Sequence, residues 1–391
     1  MSELTADLTR KIRVVIAMYR DDVIAGGSLR VGQTLANNLD PSSVEAHLLF
    51  AYGGSGPVAR SARVPCHFLS ARGRFDGAAW LRARAVIAKL DPDIVHFMDP
   101  IAWLACALRG TASFKLLHLH GRFHPSYMTW TSRLLTRSML SAADALVFIS
   151  NGARRDTRRL GWGRADAMHT VHNGIDCSLF DSLPSRQAAR AKLGLPQHGR
   201  VMGMVCRVVR HRGCQDAIEI LKRLDDDWHL AIVGDGPYRA ALQQAAAAAG
   251  LAERVHFTGL MDDVRPAFAA LDASLFLARY DSFGIATCEA MASSVPVFAL
   301  KGEGEYTERE YPLITPENAV CIARSNPSDY ESPESARVLD QMAERIRELG
   351  EHPGRYDDMV MKARQWVRAR FDAPILAGMM SELYASLVGR V

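Results

Sequence analysis

Short apolar segments and amphipathic segments alternate along the whole chain. The apolar segments of the first half are bounded by polar or glycine-containing turns, which is typical of buried parallel strands. They lie at residues 13–18, 44–51, 93–98, 114–120 and 145–150. Between them, apolar residues recur at three-to-four spacing, as at Trp80, Ala83 and Ile87, and this predicts helices. Strands that alternate with helices predict an α/β fold, a doubly wound parallel sheet.

The second half of the chain repeats this alternation. Its strand-like segments begin at Val201 and continue at residues 228–234, 255–259, 273–278 and 296–300. A chain of 391 residues can bury two separate cores. Pro184, Pro196 and Gly199 punctuate the junction between the two halves. We therefore predict a first domain at residues 1–183, a linker at 184–199 and a second domain at 200–372.

Composition is that of an ordinary globular protein in a reducing compartment. No apolar run approaches the roughly 18 residues that a membrane span needs. The first residues, MSELTADLTRKIR, lack the apolar centre of a signal peptide. Seven cysteines are scattered without any Cys-x-x-Cys pair, which favours reduced thiols over disulfides or zinc. We expect a cytoplasmic location.

The net positive charge of the chain lies in its first half. Residues 1–183 carry 22 Lys and Arg against 15 Asp and Glu, whereas residues 184–391 carry 25 against 28. A basic half could attract an anionic acceptor or the inner face of an anionic membrane, or it could be an arginine-rich surface without a partner. Residues 125–141 mix aromatic and basic residues and could lie on a membrane, although packing of this helix on the sheet is favoured. We expect no nucleic-acid binding, because no basic run is interleaved with stacking aromatics.

The chemistry of the chain is concentrated in residues 280–300, YDSFGIATCEAMASSVPVFAL. Gly284 lacks a Cβ, so its backbone can approach a ligand, and the helix predicted from Ile285 offers its first amides to phosphate. Asp281 and Glu289 flank this turn, and ionised carboxylates accept hydrogen bonds from hydroxyl groups. The combination indicates a nucleotide-sugar. The alternative makes Asp281 a helix N-cap and Glu289 a solvated helix residue.

This order of acid, Phe-Gly, Glu-Ala-Met-Ala and Pro-Val resembles the signature of the retaining glycosyltransferases of family 4. The resemblance implies that Asp281 holds hydroxyls of the donor sugar and that Glu289 holds the ribose. Asp281 stands where the family usually has Glu, and Ser294 where it usually has Gly. The donor-binding turn would consist of Ser282, Phe283, Gly284 and Ile285.

A second element of the resemblance lies at the start of the second domain. Arg207 and Arg212, five residues apart, match the family's Gly-Arg, four residues, Lys-Gly element, which clamps the diphosphate. Cys206 stands in the place of its Gly, and Arg212 in the place of its Lys. Arginine keeps the charge of lysine but presents a planar fork instead of a compact donor. The alternative is a pair of surface arginines.

In the first domain, the resemblance implies that Gly26 and Gly27 border the pyrophosphate and the acceptor. The residues at predicted strand ends are Asp99, His118, His120 and His124. His120 resembles the family's histidine near the reacting sugar. We expect strand alternation to direct His118 the other way, into a core or loop role. The resemblance also places Gly234, Leu260 and Met261 in loops that face the nucleobase.

The family implies a GT-B architecture, in which two Rossmann-like domains face each other across a cleft and a last helix, residues 373–391, crosses back to the N-terminal domain. It implies a retaining hexosyltransferase that moves a sugar from a UDP- or GDP-sugar to a glycan, lipid-linked sugar or small-molecule acceptor in cell-envelope or polysaccharide biosynthesis. We expect no cofactor and no metal, because no carboxylate or histidine cluster has metal-ligand spacing. The catalytic candidates are His120, Arg207, Arg212 and Asp281. A nucleotide-sugar epimerase and a non-catalytic nucleotide-sugar-binding protein remain alternatives.

Overall fold

The computed structural model describes residues 10–21, 27–121, 128–279, 283–301, 313–326 and 332–389. The chain divides into two compact units. The first unit consists of the residues up to Gly174 and of the C-terminal residues from Ala373, and the second is Ile175–Asp372.

The first unit is a seven-stranded parallel sheet with helices packed on it. Its strands are β1 (Ile12–Arg20), β2 (Val44–Tyr52), β3 (Cys66–Phe68), β4 (Ile94–Phe97), β5 (Phe114–Leu119), β6 (Ala145–Phe148) and β7 (Met168–Thr170). Its helices are α1 (Gly27–Asn38), α2 (Pro57–Ser61), α3 (Gly77–Leu90), α4 (Ala102–Ala107), α5 (Trp130–Ala142) and α6 (Asn151–Arg159). The strand order is β3-β2-β1-β4-β5-β6-β7, so the direction of strand addition reverses between β1 and β4.

The second unit is a six-stranded parallel sheet in the order β10-β9-β8-β11-β12-β13. Its strands are β8 (Arg200–Val205), β9 (Trp228–Val233), β10 (Val255–Gly259), β11 (Ala273–Phe276), β12 (Val297–Lys301) and β13 (Val320–Ala323). Its helices are α7 (Arg186–Leu193), α8 (Cys214–Leu221), α9 (Arg239–Ala248), α10 (Arg265–Ala270), α11 (Ile285–Ala292), α12 (Ala336–Glu351) and α13 (Asp357–Phe371). In this sheet the direction of strand addition reverses between β8 and β11.

The central strands of both sheets are buried on their two faces, as their continuous apolar sequences predict. Val15, Val95 and Phe148 are fully buried in the core of the first unit, and Ile232 and Phe298 in that of the second. The predicted α/β fold with two Rossmann-like units is therefore confirmed.

The units meet in sequence at Ile175, whereas the sequence pattern places the boundary at residue 183. Ile175 N donates to Phe371 O (2.9 Å), and Cys177 N donates to the Asp372 carboxylate (3.1 Å). The two segments at which the chain enters and leaves the second unit are therefore hydrogen-bonded to each other. The predicted linker contains α7, whose Arg190 is almost fully buried and bonded to Asp272 (2.7 Å). Residues 184–199 are thus packed within the second unit. The last helix, α14 (Ala373–Leu387), packs against α1.

Candidate functional site

Two loops of the second unit leave the sheet at its point of reversal. Strands β8 and β11 are neighbours, and residues 206–213 follow β8 while residues 277–279 and 283–284 follow β11. The Arg279 amide donates to His211 O (2.8 Å) and joins the two loops. In parallel α/β sheets, ligands bind outside the carboxyl ends of the strands where the strand order reverses. This edge is therefore the candidate ligand site of the second unit.

The first of these loops carries both candidate diphosphate-binding arginines. Arg207 is exposed, and Arg212 is half-buried at the end of the 3₁₀ turn Arg210–Arg212. The turn closes through a hydrogen bond from Arg212 N to Val209 O (3.0 Å). Two guanidinium groups on one short loop supply the positive charge that a diphosphate needs.

The loops after β8 and β9 come into close contact at Gly234. A Cβ at this position would lie 2.0 Å from Cys206 O, so a larger residue would force the ends of β8 and β9 apart. Gly234 N donates to Gly259 O at the end of β10 (2.8 Å). Leu260, which is exposed, and the half-buried Met261 follow directly. The three residues assigned to the nucleobase thus lie at the carboxyl ends of adjacent strands.

The signature turn enters helix α11 at Gly284. This residue has φ +87°, a left-handed conformation that favours glycine, and it caps the N-terminus of α11. Phe283 is buried with its ring edge-on to Phe371 (5.3 Å between centroids), and Ile285 is half-buried. Asp281 and Ser282 lie outside the described residues. The structure therefore places a helix N-terminus at the same sheet edge as residues 206–213, which we call the arginine loop. A phosphate site requires such a combination.

Glu289 lies one turn further along α11 and is 8% exposed. Its burial excludes the alternative of a solvated helix residue. Ionised carboxylate oxygens can accept hydrogen bonds from several hydroxyl groups, so Glu289 has the chemistry that a ribose diol matches.

Ser294, at the other end of the signature, adopts φ +58°. This left-handed conformation favours glycine, which is the residue that the family usually has there. Arg364 donates to Ser294 Oγ (3.1 Å). The departure from glycine is therefore a local backbone strain that a side-chain hydrogen bond partly offsets.

Two buried ion pairs fix the backbone that precedes the signature turn. Arg279 pairs with Asp216, and Arg324 pairs with Glu334 (3.3 Å). Arg324 also donates to the carbonyls of Leu277 (2.5 Å) and Ala278 (3.0 Å), directly before the turn. Burial raises the pKa of Asp216, and the Arg279 guanidinium opposes that shift.

The two ion pairs are linked, because Glu334 N donates to the Asp216 carboxylate (3.1 Å). Together they fix the end of β11 from which the signature turn departs. The sequence analysis missed these residues, since they are far apart in the chain and form no motif.

In the first unit, the first turn of α1 contacts a residue that follows the end of β4. Gly27 is the first residue of α1, and Gly26 lies outside the described residues. Ser28 Oγ donates to the Asp99 carboxylate (3.0 Å). Burial raises the pKa of Asp99 to about 6, against the lowering effect of that hydrogen bond. This carboxyl group and the N-terminus of α1 lie at the reversal point of the first sheet, where β1 and β4 are neighbours.

Three histidines form a buried stack behind this edge. His96 is hydrogen-bonded to the Tyr384 hydroxyl (2.7 Å) and to His118 (3.2 Å), and the rings of His118 and His120 stack at 4.3 Å between centroids. The expectation that His118 points away from His120 is therefore wrong. Residues two apart on a strand lie on the same face of the sheet. His124 lies outside the described residues.

His120 keeps both ring nitrogens buried, and neither has a hydrogen-bond partner among the described residues. Burial lowers its pKa to about 3, so the ring is neutral at physiological pH. A neutral imidazole has one donor and one acceptor. A hydroxyl group, which also donates and accepts, is a matching partner.

Helix α5 does not pack on the sheet along its whole length, contrary to the favoured prediction. Leu140 is buried, but Trp130, Leu134 and Leu135 are 75%, 62% and 60% exposed. None of the helices in the described segments is both long and apolar enough to cross a membrane. Nor do those segments bring three or more His, Cys, Asp or Glu side chains together as a metal site would.

Comparisons with known proteins agree with this geometry. Residues 25–179 match the family described as Glycosyltransferase Family 4, and residues 185–329 match Glycosyl transferases group 1. The 2-deoxystreptamine glucosyltransferase of Streptomyces kanamyceticus is 28% identical over 56% of this chain and 54% of its own length. The GDP-mannose-dependent alpha-(1-6)-phosphatidylinositol monomannoside mannosyltransferase of Mycobacterium tuberculosis is 29% identical over 77% of this chain and 78% of its own.

Among solved structures, the Anabaena protein HepE in complex with UDP-glucose superposes with a TM-score of 0.77 at 18% identity. The alignment covers 96% of this chain and 100% of HepE. The chain spans about half the length of the glucosyltransferase of Streptomyces kanamyceticus.

Proposed function

The chain belongs to the GT-B glycosyltransferases that resemble family 4, and on this premise we propose that it transfers a hexose-type sugar from a UDP- or GDP-sugar to a hydroxyl group of an acceptor. One observation carries the proposal. The family signature, from Phe283 to Glu289, lies at the same sheet edge as Arg207 and Arg212. A helix N-terminus, two guanidinium groups and a buried carboxylate match a diphosphate joined to a ribose.

The choice of donor is supported by the relatives. HepE was solved with UDP-glucose, and the mycobacterial relative uses GDP-mannose. The acceptors named for relatives include 2-deoxystreptamine, a phosphatidylinositol mannoside and the lipopolysaccharide core. We propose an acceptor of this class, a glycan, a glycolipid or a polyhydroxylated small molecule, in cell-envelope or polysaccharide biosynthesis.

We propose a retaining reaction without a metal ion. The acceptor hydroxyl attacks the anomeric carbon from the face that the diphosphate leaves, and the departing phosphate oxygen takes the hydroxyl proton. Arg207, Arg212 and the N-terminus of α11 stabilise the negative charge that develops on that phosphate. Asp281 would hold hydroxyls of the donor sugar, and His120, neutral and with no partner for its ring nitrogens among the described residues, would bond another hydroxyl group.

Incubation with radiolabelled UDP-glucose, UDP-N-acetylglucosamine and GDP-mannose tests this function. A transferase turns over rapidly only when an acceptor is added, an epimerase converts the sugar without an acceptor, and a binding protein changes neither. A thermal-shift screen with UDP and GDP selects the base beforehand, because a ligand of the folded state raises Tm.

We expect the transfer activity to persist in EDTA. Loss in EDTA with recovery in magnesium would contradict the metal-free mechanism.

Replacing Glu289 with glutamine should weaken donor binding by about 1.5–3 kcal/mol. The substitution keeps the shape of the side chain but removes the charged acceptor for the ribose hydroxyls. Titration of UDP or GDP by calorimetry measures this change. Glu382→Gln, on helix α14 of the first unit, is the matched control and should leave the affinity unchanged. Equal affinity of the Glu289 variant and the wild type would refute the ribose assignment.

We further propose that the protein is cytoplasmic and contacts the inner face of an anionic membrane through α5. The exposed Trp130, Leu134 and Leu135 share this helix with the exposed Arg133 and Arg137. An apolar face flanked by cations binds anionic bilayers. Sedimentation with phosphatidylglycerol vesicles should be lost in Leu134→Ser/Leu135→Ser. Equal sedimentation of this variant, or none by the wild type, would contradict the contact.

A further inference from the structure

Two cysteines lie at the two ends of the arginine loop. Cys206 follows β8 directly, and Cys214 is the first residue of α8. Their Sγ atoms are 3.7 Å apart. Cys214 has no exposed surface and belongs to the core of the second unit, whereas Cys206 is half-buried. Cys206 is thus the partly exposed member of the pair, and Cys214 is the buried one.

The backbone on both sides of the pair is held in place. Cys206 N donates to Val233 O (3.0 Å) on the neighbouring strand. Gly213, directly before Cys214, packs so closely on β11 that a Cβ there would lie 2.3 Å from Leu277 O. Since both ends are anchored, the two sulfur atoms stay within reach of each other. A disulfide needs an S–S distance of about 2.05 Å, so the gap can be closed by side-chain rotation and a small shift of the loop.

We propose that Cys206 and Cys214 form a reversible disulfide that weakens the binding of a nucleoside diphosphate by the arginine loop. The bond itself is independent of the function proposed above, and its effect on binding rests on that function. Arg207 is adjacent to Cys206 in the sequence, and Arg212 is two residues before Cys214. The small shift of the loop that closes the bond therefore moves both guanidinium groups, and charge-assisted hydrogen bonds weaken steeply when their geometry changes.

The oxidant is a small-molecule disulfide such as oxidised glutathione. The Cys206 thiolate attacks one of its sulfur atoms, which forms a mixed disulfide and releases one glutathione thiolate. Cys214 then loses its proton and attacks Cys206 Sγ, which forms the internal bond and releases the second glutathione thiolate. The two electrons lost by the cysteines reduce the glutathione disulfide, and the two protons go to the released thiolates.

The order of these two steps follows from the surroundings of the thiols. The hydrogen bond with Cys206 and burial raise the pKa of Cys214, so this thiol stays protonated and out of contact with the oxidant. Cys206, which is partly accessible, reacts first. Reduction reverses both steps, because a small thiol can attack Cys206 Sγ from the solvent.

Peptide mapping by mass spectrometry after treatment with oxidised glutathione tests the bond. We expect a Cys206–Cys214 cross-link in the wild type and in the control Cys106→Ser, which removes an exposed cysteine of the first unit. Cys214→Ala should stop at the glutathione adduct on Cys206, and Cys206→Ser should form neither species. If Cys214→Ala fails to fold, Cys206→Ser and the mapped cross-link still decide the question. Absence of the cross-link in the wild type overturns the proposal.

Calorimetric titration of UDP and GDP tests the effect on binding. We expect the oxidised wild type to bind roughly tenfold or more weakly than the reduced protein, as for the loss of one charge-assisted hydrogen bond. Dithiothreitol should restore the affinity, and Cys206→Ser should be insensitive to oxidation. Equal affinities of the cross-linked and reduced protein overturn the regulatory effect. If the reduced protein binds neither nucleotide, the donor site itself is contradicted and the effect on binding falls with it.

Discussion

Replacing Arg207 with alanine should lower the turnover of sugar transfer by about 10²–10³ while the protein remains folded. Arg207 lies on the loop after β8 at the reversal point of the second sheet, where a diphosphate would sit. Negative charge builds up on the leaving phosphate in the transition state, so removal of a positioned cation acts mainly on kcat. The side chain is exposed, and substitutions of exposed side chains usually change stability little.

Arg210→Ala is the matched control for this experiment. Arg210 is an exposed arginine of the same loop, and its guanidinium lies over the ring of Tyr238 (5.4 Å to the centroid). Initial rates with saturating donor and acceptor, together with Tm, should separate the two variants. We expect the control to stay within a few fold of the wild type. Near-normal rates for both Arg207→Ala and Arg212→Ala would mean that the diphosphate is held elsewhere.

The features that the sequence predicts well are local ones. The strand at 228–234 was predictable because a run of mostly buried apolar residues bounded by turns has few other interpretations. The start of α11 at Ile285 was predictable from Gly284, whose left-handed φ the structure confirms. The edge strands β3 and β13 were not predicted, because each has only three or four residues and none of these residues is fully buried.

Long-range features of the site could not be predicted. Asp216 and Arg279 are 63 residues apart, and Glu334 N reaches Asp216 across 118 residues. Only the folded sheet brings these groups under the signature turn. The histidine stack was not predicted for a different reason. His118 and His120 were expected to point in opposite directions, whereas residues two apart on a strand lie on the same face of the sheet. Gly26, Asp281 and Ser282 lie outside the described residues, so their roles remain predictions.

The three stacked histidines, offset in part by Asp99, should lower the stability of the first unit by about 5 kcal/mol when the pH falls from about 7.5 to about 5. Burial lowers the pKa of His96 and His120 from 6.5 to about 3, and that of His118 to well below its usual value. At pH 5 the unfolded chain binds these protons and the folded unit does not. Stability is therefore present above pH 6.5 and decreases as the pH falls below it. Each histidine contributes about 2 kcal/mol over this interval.

One carboxyl group acts in the opposite direction. Burial raises the pKa of Asp99 from 3.8 to about 6, so the folded unit binds this proton more tightly than the unfolded chain does. The stability that Asp99 contributes is present at low pH and lost as the pH rises through 6. Its effect between pH 7.5 and pH 5 is about 1 kcal/mol. The three histidines therefore dominate, and acid destabilises the unit.

Hydrogen exchange of peptides that cover β4 and β5 measures this loss within the first unit. Protection at pH 5, corrected for the intrinsic exchange rate, should fall by the amount expected from three buried histidines. His118→Leu should reduce the pH dependence by about 2 kcal/mol, because leucine binds no proton in either state. His198→Gln, at an exposed position in the second unit, is the control and should leave it unchanged. An equal response of wild type and His118→Leu to acid would contradict the lowered pKa of His118, because His118 would then bind its proton as readily in the folded protein as in the unfolded chain.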